Sequence, residues 1–220
     1  MIFIDMPTFY GQKGEDRYLF NTFFSNKKNG VYIELGAMDG IGYSNTKFFE
    51  DEMKWTGILI EPNEHLYKKL LMNRPNNKLY NSLVSNEDRT YRFKYFEGLG
   101  VSCIEETMPR DHNRLYFNSR RPQFKNHPKG EVEMKGRTLQ SIIDDAGYHE
   151  IDLLSLDVEG HEYQVLRSID FKKTQIKVIL VEILDDNSNR DEIHDLLLVN
   201  RYEYHSDIGR NRVYVLKIDK

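Results

Sequence analysis

The chain contains 220 residues with a formal net charge of -4 at pH 7, so it lacks the overall positive field of a nucleic-acid-binding protein. Its single cysteine, Cys103, excludes an intrachain disulfide and a C-x-x-C metal or redox site, and fits a reducing compartment. No apolar run approaches the roughly 18 residues that span a bilayer. We therefore expect a cytoplasmic protein.

Strand and helix patterns alternate along the chain, which indicates a doubly wound α/β sheet. Apolar runs typical of buried parallel strands occur at residues 31–35, 57–60, 78–84, 151–156 and 176–183. Helical patterns occur at residues 45–53, 64–73, 138–146, 162–168 and 190–200. Two late strands, 202–205 and 212–218, predict a closing antiparallel hairpin. No linker divides the chain, so we expect one domain over 1–220 with an N-terminal extension, 1–30, over the site.

A long irregular segment, residues 97–130, separates two further predicted strands at 90–96 and 131–135. Segments of this length in compact domains are commonly lids or binding loops, so we expect it to select the substrate. Its basic residues and an aromatic residue suit a phosphate or carboxylate and a stacked ring. These candidates are Arg110, Arg114, Arg120, Arg121 and Tyr116. The alternative interpretation is a solvated basic loop.

The junction VYIELGAMDG, residues 31–40, and the later run ILIE, residues 58–61, together predict a nucleoside-binding crevice. In open α/β sheets, ligands bind beyond the carboxyl ends of the strands, where a glycine-rich turn lets the backbone approach them. We assign Gly36, Ala37 and Gly40 to that approach. Glu61, followed by Pro62, ends the second strand where an acid can accept both ribose hydroxyls.

The charges in this crevice favour a cationic ligand. The glycines at 36, 40 and 42 do not have the G-x-G-x-x-G spacing of a dinucleotide site. Glu34 and Asp39 would repel a pyrophosphate but attract the sulfonium and α-amino groups of S-adenosylmethionine. We therefore favour S-adenosylmethionine over NAD.

Four polar residues near the strand ends complete the predicted cofactor site. Ser44, Asn45 and Thr46 open the first helix, where they either cap it or receive the cofactor carboxylate. Ser82, at the end of the third strand, is a candidate for contact with adenine.

Several motifs, in this order, resemble the FkbM-type S-adenosylmethionine-dependent methyltransferases. They are GQKGED at 11–16, YIELGAMDG at 32–40 with SNT at 44–46, WTGILIEPN at 55–63, RTL at 137–139 and DLLSLDVEGHE at 152–162. The block DVEGHE, residues 157–162, is the most specific of them. Two positions depart from the family pattern, since Gly11 replaces a frequent serine and His161 a frequent small residue.

The resemblance implies a class I methyltransferase fold. This is a Rossmann-like, mostly parallel seven-stranded sheet with helices on both faces and a C-terminal antiparallel hairpin. It also implies methyl transfer to hydroxyl oxygens of sugars and secondary metabolites, and leaves the acceptor open. The expected acceptor is a small molecule or glycan, with the basic segment holding a nucleotide-linked or phosphorylated carrier.

Catalysis requires alignment of the acceptor and a base for its hydroxyl proton. Asp157, which ends the fourth strand, is the first candidate, and Glu159 and His161 are alternatives in the same motif. A second mechanism uses a metal ion: acids ending strands four and five, Asp157 and Glu182 with Asp185 or Asp186, suit Mg²⁺. Glu182 is an acid within an apolar run and is therefore a functional candidate in either mechanism.

Other function classes remain open at this stage. A nucleic-acid methyltransferase is disfavoured because an N-P-P-Y-type motif and a basic footprint are both missing. The other alternative is a cofactor-binding module without turnover, against which the intact acids at 34, 39, 61 and 157 argue.

Overall fold

The computed structural model describes residues 7–185 and 189–217, which form a seven-stranded sheet and a smaller four-stranded sheet. The order in the larger sheet is β3-β2-β1-β8-β9-β11-β10, parallel except that β11 runs antiparallel to both neighbours. The order in the smaller sheet is β4-β7-β5-β6. The strands are β1 (Val31–Leu35), β2 (Thr56–Ile60), β3 (Lys78–Tyr80), β4 (Leu83–Val84), β5 (Thr90–Phe96), β6 (Leu99–Ile104), β7 (Lys129–Arg137), β8 (Glu150–Leu156), β9 (Gln175–Glu182), β10 (Tyr202–Ile208) and β11 (Asn211–Leu216).

Helices cover the larger sheet, and two apolar clusters form the core. One cluster joins the inner strands to the helices that follow the small sheet, and the other packs the N-terminal aromatic residues and the first long helix against the strands. None of the helices in 7–185 and 189–217 is both long and apolar enough to cross a membrane. The α-helices are α1 (Glu15–Leu19), α2 (Lys47–Met53), α3 (Glu64–Asn73), α4 (Arg110–His112), α5 (Pro122–Lys125), α6 (Leu139–Ala146), α7 (Glu162–Arg167) and α8 (Arg190–Val199).

The sequence patterns predict the central elements closely because their burial follows the sheet geometry. The β1 strand is buried at four of its five positions, as expected for a parallel strand covered on both faces. The predicted mostly parallel sheet and the C-terminal hairpin are confirmed, although Ile218 and Asp186 lie outside the described residues.

The run at 78–84 is not one strand. It breaks at Asn81 and Ser82, so that β3 stays in the larger sheet and β4 joins the smaller one. The Asn81 side chain donates to the carbonyl oxygens of Glu61 (2.8 Å) and Pro62 (3.0 Å). These bonds hold the bend against the end of β2, an interaction that a local apolar pattern does not encode.

The segment at 97–130 contains regular structure. It begins with β6, pairs back onto β5, and continues through a 3-10 turn (Glu105–Thr107), α4, a π-helical turn (Asn113–Phe117) and α5. Glycine and serine interrupt the apolar pattern of β6, which hides this strand in the sequence.

The N-terminal segment is tied to the turn after β1. Gly11 and Tyr43 form an isolated parallel bridge. The Phe9 ring stacks on Phe48 of α2, with ring centroids 4.3 Å apart. These contacts place Gln12 and Glu15 at the carboxyl end of β1, within the part of the extension that the structure describes.

Candidate active site

Two cavities lie side by side at the carboxyl ends of the parallel strands. The larger, about 250 Å³, is bordered by the ends of β1, β8 and β9, the N-terminal segment and the hairpin turn. The smaller, about 70 Å³, is mostly apolar and lies over the ends of β2 and β4. Both are lined by Gly36, Met38, Asp157 and Glu159, so they form one crevice. It lies where the strand order reverses between β1 and β8, the usual ligand position in this architecture.

Gly36 allows the turn after β1 to lie directly against the end of β8. Its φ is +73°, and a Cβ atom there would lie 2.0 Å from the carbonyl oxygen of Asp157. The amide groups of Gly36 and Ala37 both donate to the Ile60 carbonyl oxygen (3.1 and 3.2 Å). A side chain at position 36 would therefore separate the strands at the junction of the two cavities.

The buried Glu34 carboxylate folds the following loop back onto β1. It accepts hydrogen bonds from Ser44 Oγ (2.8 Å), Thr46 Oγ1 (2.6 Å) and the backbone amide of Asn45 (2.8 Å). The Asn45 side chain lines the larger cavity and donates from Nδ2 to Ser155 Oγ (3.1 Å). Its Oδ1 atom is buried without a hydrogen-bond partner in the described parts of the chain.

Asp39 and Gly40 shape this loop without lining either cavity. Asp39 Oδ1 accepts from the amides of Ile41 (3.0 Å) and Gly42 (2.9 Å), which closes a tight turn. Gly40 has φ +82°, and a Cβ atom there would lie 2.6 Å from Cγ of Arg74.

The smaller cavity contains the predicted ribose and adenine contacts Glu61, Pro62 and Ser82. Glu61 is almost completely buried and accepts from the amides of Met38 (2.9 Å) and Asn63 (2.8 Å). Burial raises the pKa of Glu61 to about 7, although the two amides favour the carboxylate. Glu61 thus connects the end of β2 to the turn after β1.

Three carboxyl groups meet at the junction of the cavities. Oxygen atoms of Asp157, Glu159 and Glu182 lie within 4.8 Å of one another, and Asp157 and Glu182 form a side-chain hydrogen bond. Desolvation and the adjacent Glu182 and Glu159 raise the pKa of Asp157, although its side chain faces the open cavity. Desolvation and Glu159 also raise the pKa of Glu182. This pair is therefore suited to share one proton.

The segment at 97–130 contributes a histidine, His112, that no sequence motif identifies as a candidate. His112 is buried, with Nδ1 3.2 Å from Glu159 Oε2 and Nε2 2.9 Å from the Val101 carbonyl oxygen. Both ring nitrogens face acceptors, which requires the imidazolium form. Burial opposes the charge, but hydrogen bonds with Cys103 and Glu159 raise the pKa of His112 to about 10. Only the tertiary fold brings this residue to the cavity.

His161 is buried beside the smaller cavity rather than in the larger one. Its Nδ1 lies 2.9 Å from Thr107 Oγ1, and its Nε2 lies 3.0 Å from Ser85 Oγ. Burial, followed by the nearby Arg89, lowers the pKa of His161 to about 4, so the ring is neutral at pH 7. His161 thereby links the end of β8 to the small sheet and to the segment after β6.

Of the residues expected to hold the acceptor, only Tyr116 lines the larger cavity. The four arginines of the segment, Arg110, Arg114, Arg120 and Arg121, are exposed and line neither cavity. The cavity's acidic residues instead outnumber its cationic ones, His112 and Arg210. The acidic residues are Glu15, Glu34, Asp111, Asp157, Glu159, Glu182 and Asp185.

Comparison with known proteins identifies the sequence family. The model of the methyltransferase FkbM domain matches residues 34–206, which include β2, β4, β8 and β9 and the last two residues of β1. A search of curated proteins found no significant match.

Solved structures similar to this chain are methyltransferases at low sequence identity. The TehB-like SAM-dependent methyltransferase of Corynebacterium glutamicum has a TM-score of 0.51 at 7% identity, over 96% of this chain and 89% of that chain. The precorrin-6y C5,15-methyltransferase of Geobacter metallireducens has a TM-score of 0.48 at 8% identity, over 90% and 85%. Aeropyrum pernix fibrillarin, solved with natively bound S-adenosyl-L-methionine, has a TM-score of 0.45 at 10% identity, over 86% and 66%.

Proposed function

Because the chain belongs to the methyltransferase FkbM domain family, we propose that it is an S-adenosylmethionine-dependent O-methyltransferase acting on a hydroxyl of a sugar, glycan or sugar-containing metabolite. The observation that carries this proposal is the carboxyl pair of Asp157 and Glu182 at the junction of an apolar and a polar cavity. S-adenosylmethionine supplies an electrophilic methyl group when it is bound.

The crevice fits a ligand with an apolar ring system at one end and a charged chain at the other. Glu61, Pro62 and Ser82 would hold the nucleoside in the smaller cavity. Gly36 and Ala37 would line the approach of the ligand at the junction, where Gly36 also lets the turn after β1 lie against the Asp157 carbonyl oxygen. Asn45 Oδ1, which has no hydrogen-bond partner among residues 7–185 and 189–217, would accept from the amino group of the methionine end. The remaining predicted residues, Glu34, Asp39, Gly40, Ser44 and Thr46, would support this site through the loop.

Asp157 is our first choice for the base. Desolvation and the neighbouring carboxyl groups raise the pKa of Asp157, which makes its carboxylate a stronger base than that of an ordinary aspartate. Glu182 would share that proton, while Glu159 is already paired with His112. His161 is neutral, but both of its ring nitrogens are engaged by Thr107 and Ser85.

A metal-assisted mechanism is the alternative at the same cluster. Carboxylate oxygens are the ligands that Mg²⁺ prefers, and Asp157 and Glu182, with Glu159, would supply them. Asp185 also lines the cavity, whereas Asp186 lies outside the described residues. Loss of activity in EDTA and recovery with Mg²⁺ would assign the cluster to the metal. Retained activity would leave Asp157 as the base.

The acidic lining favours an acceptor whose reacting sugar is uncharged or cationic. Arg210, a cationic residue of the lining, already pairs with Asp185 (3.2 Å). A phosphate beside the reacting hydroxyl would meet carboxylates, while hydroxyl groups can donate to them. The four exposed arginines would act only on an anionic part of a longer acceptor, outside the cavity. That role remains a prediction.

Cofactor binding is the first test. We expect the protein to bind S-adenosylhomocysteine but not NAD in a calorimetric titration. Glu61→Ala should weaken that binding at least tenfold, or about 1.4 kcal/mol, because it removes the ribose acceptor and the link to Met38. Glu64→Ala, an exposed change three residues away, is the matched control. Unchanged affinity in Glu61→Ala would exclude this ribose site.

Turnover is the second test. Asp157→Asn should lower acceptor-dependent formation of S-adenosylhomocysteine about 100-fold or more, while cofactor affinity changes little. Asp111→Asn, at an exposed acid of the same cavity that pairs with Arg114, provides the control. A panel of neutral, amino and phosphorylated sugars measures the acceptor class. Cofactor binding without turnover on any acceptor would favour the non-catalytic module, and turnover on RNA or DNA alone would favour a nucleic-acid substrate.

A further inference from the structure

Arg74, which follows α3, is completely buried and lines neither cavity. It is also the largest of the fully buried side chains in the described parts of the chain. Burying a guanidinium is costly unless it is paired and hydrogen-bonded. Its partners therefore indicate what its burial stabilises.

Each of the five N–H donors of Arg74 has an acceptor, which is the full capacity of a guanidinium. Nε donates to the carboxylate of Glu50. Nη1 donates to the carbonyl oxygen of Gly40 (2.9 Å) and to Ser44 Oγ (3.3 Å). Nη2 donates to Tyr32 Oη (2.7 Å) and to Thr46 Oγ1 (3.2 Å).

Three of these acceptors, from Gly40, Ser44 and Thr46, belong to one loop, residues 40–46. The Ser44 and Thr46 hydroxyl groups that receive the guanidinium donate in turn to Glu34 on β1. Asn45, between them, places its amide in the larger cavity with Oδ1 unpartnered in the described parts of the chain. The guanidinium is thus joined to the cavity wall through one layer of hydroxyl groups.

Gly40 shows how closely the loop lies on this side chain. A Cβ atom at position 40 would lie 2.6 Å from Arg74 Cγ and 2.7 Å from a methyl group of Leu70. The glycine is therefore required by the arginine packed against the loop, in addition to its φ of +82°.

We propose that Arg74 is a positioning residue for the cofactor. It holds residues 40–46 in their binding shape and so presents Asn45 Oδ1 to an N–H donor of the cofactor's amino-acid end, without contacting the ligand. This inference rests on the proposed function for the identity of the ligand. A lysine cannot replace the arginine, because one ammonium group cannot reach acceptors on β1, α2 and the loop together.

The test compares Arg74→Lys with Tyr202→Phe, which removes a buried hydrogen bond to the Ile176 carbonyl oxygen in another part of the sheet. We expect Arg74→Lys to weaken S-adenosylhomocysteine binding at least tenfold, and to speed hydrogen exchange at the amides of residues 42–46. Tyr202→Phe should lower the melting temperature and leave both of those quantities unchanged. A folded Arg74→Lys variant with wild-type affinity would overturn the proposal.

A double variant tests whether Arg74 acts through Asn45. Asn45→Ala should weaken binding in the wild-type background but add little to Arg74→Lys, because the amide is already misplaced there. If the two substitutions reduced the binding free energy additively, the proposal that Arg74 acts through Asn45 would be overturned. If Arg74→Lys fails to fold, Thr46→Val removes one of its loop partners and should still speed exchange at 42–46 and weaken binding; unchanged values would overturn the proposal.

The two proposals can fail separately. Absence of binding by the wild-type protein would count against the proposed function. The exchange rates of residues 42–46 would then still decide whether Arg74 orders the loop, since they need no ligand.

Discussion

Glu162 is a completely buried acid at the start of α7, and it closes the turn that carries Asp157 and Glu159. Its Oε1 atom accepts from the backbone amides of Gly160 (2.9 Å) and Val158 (3.3 Å). Burial raises the pKa of Glu162 to about 7, although hydrogen bonds from backbone amides, including that of Gly160, favour the carboxylate. The folded protein therefore retains the Glu162 proton at pH values where the unfolded chain has lost it.

This difference predicts a pH-dependent stability. Between about pH 4.5 and 7 the folded state binds more protons at Glu162 than the unfolded state, so the free energy of unfolding falls as the pH rises. The loss from this group is at most about 3 kcal/mol. Denaturant titrations at pH 5 to 8 measure this dependence. Glu162→Gln should reduce the slope of the free energy of unfolding against pH, whereas the exposed substitution Glu203→Gln should not. An unchanged slope in Glu162→Gln would refute this assignment.

Some residues of the site can be predicted from the sequence, and others cannot, for a geometric reason. Asp157, Glu61 and Glu182 each end a buried strand, and parallel strands bring their carboxyl ends to one edge of the sheet. His112 and Arg74 reach the same region through the insertion and through the end of a helix. No local sequence pattern predicts that the insertion and the end of the helix lie beside the site, so the sequence did not indicate either residue.

The turn between β8 and α7 is the element on which the insertion rests. Glu159 has φ +55° and Gly160 has φ +108°, so two successive residues depart from ordinary backbone geometry. A Cβ atom at position 160 would lie 2.7 Å from Pro109 Cδ and 2.8 Å from the Thr107 carbonyl oxygen. The insertion therefore packs on the turn without room for a side chain.

Two glycine substitutions distinguish the free-energy cost of a left-handed backbone from the cost of losing the contact between the insertion and the turn. Gly147→Ala, at φ +79° in open space, should cost about 1–2 kcal/mol for the left-handed backbone alone. Gly160→Ala should cost more, because it also displaces Thr107 and Pro109. We expect faster tryptic cleavage at Arg110 and Arg114 in Gly160→Ala only. Equal cleavage and equal unfolding free energies would show that the insertion does not depend on this turn.

The prediction of one strand at residues 78–84 was wrong because this apolar run contributes strands to two different sheets. Residues 78–84 have a single continuous pattern, yet the bend at Asn81 is fixed by hydrogen bonds to the end of β2. The π-helical turn at Asn113–Phe117 likewise has no periodic signal of its own.

At the scale of the whole molecule, the larger sheet can be predicted from the sequence pattern, whereas the smaller sheet can be predicted only in part. Strands β5 and β7 are visible as patterns, whereas β4 depends on pairing with the distant β7, and β6 has an interrupted apolar pattern although it pairs with the neighbouring β5. The family match covers the whole of the smaller sheet and most of the larger one, and the class of fold is confirmed. It does not determine the acceptor, because the walls of the crevice include residues from the insertion.

The segment that forms most of the small sheet begins and ends at residues that are hydrogen-bonded to each other. The amide of Ser85 donates to the carbonyl oxygen of Arg137 (2.9 Å), so 51 intervening residues begin and end one hydrogen bond apart. The entropy of closing such an excursion grows only slowly with its length. The segment can therefore change in length at little entropic cost to the closure of the fold around it. Because residues of this segment line both cavities, such a change would alter the walls of the smaller cavity as well as those of the larger one.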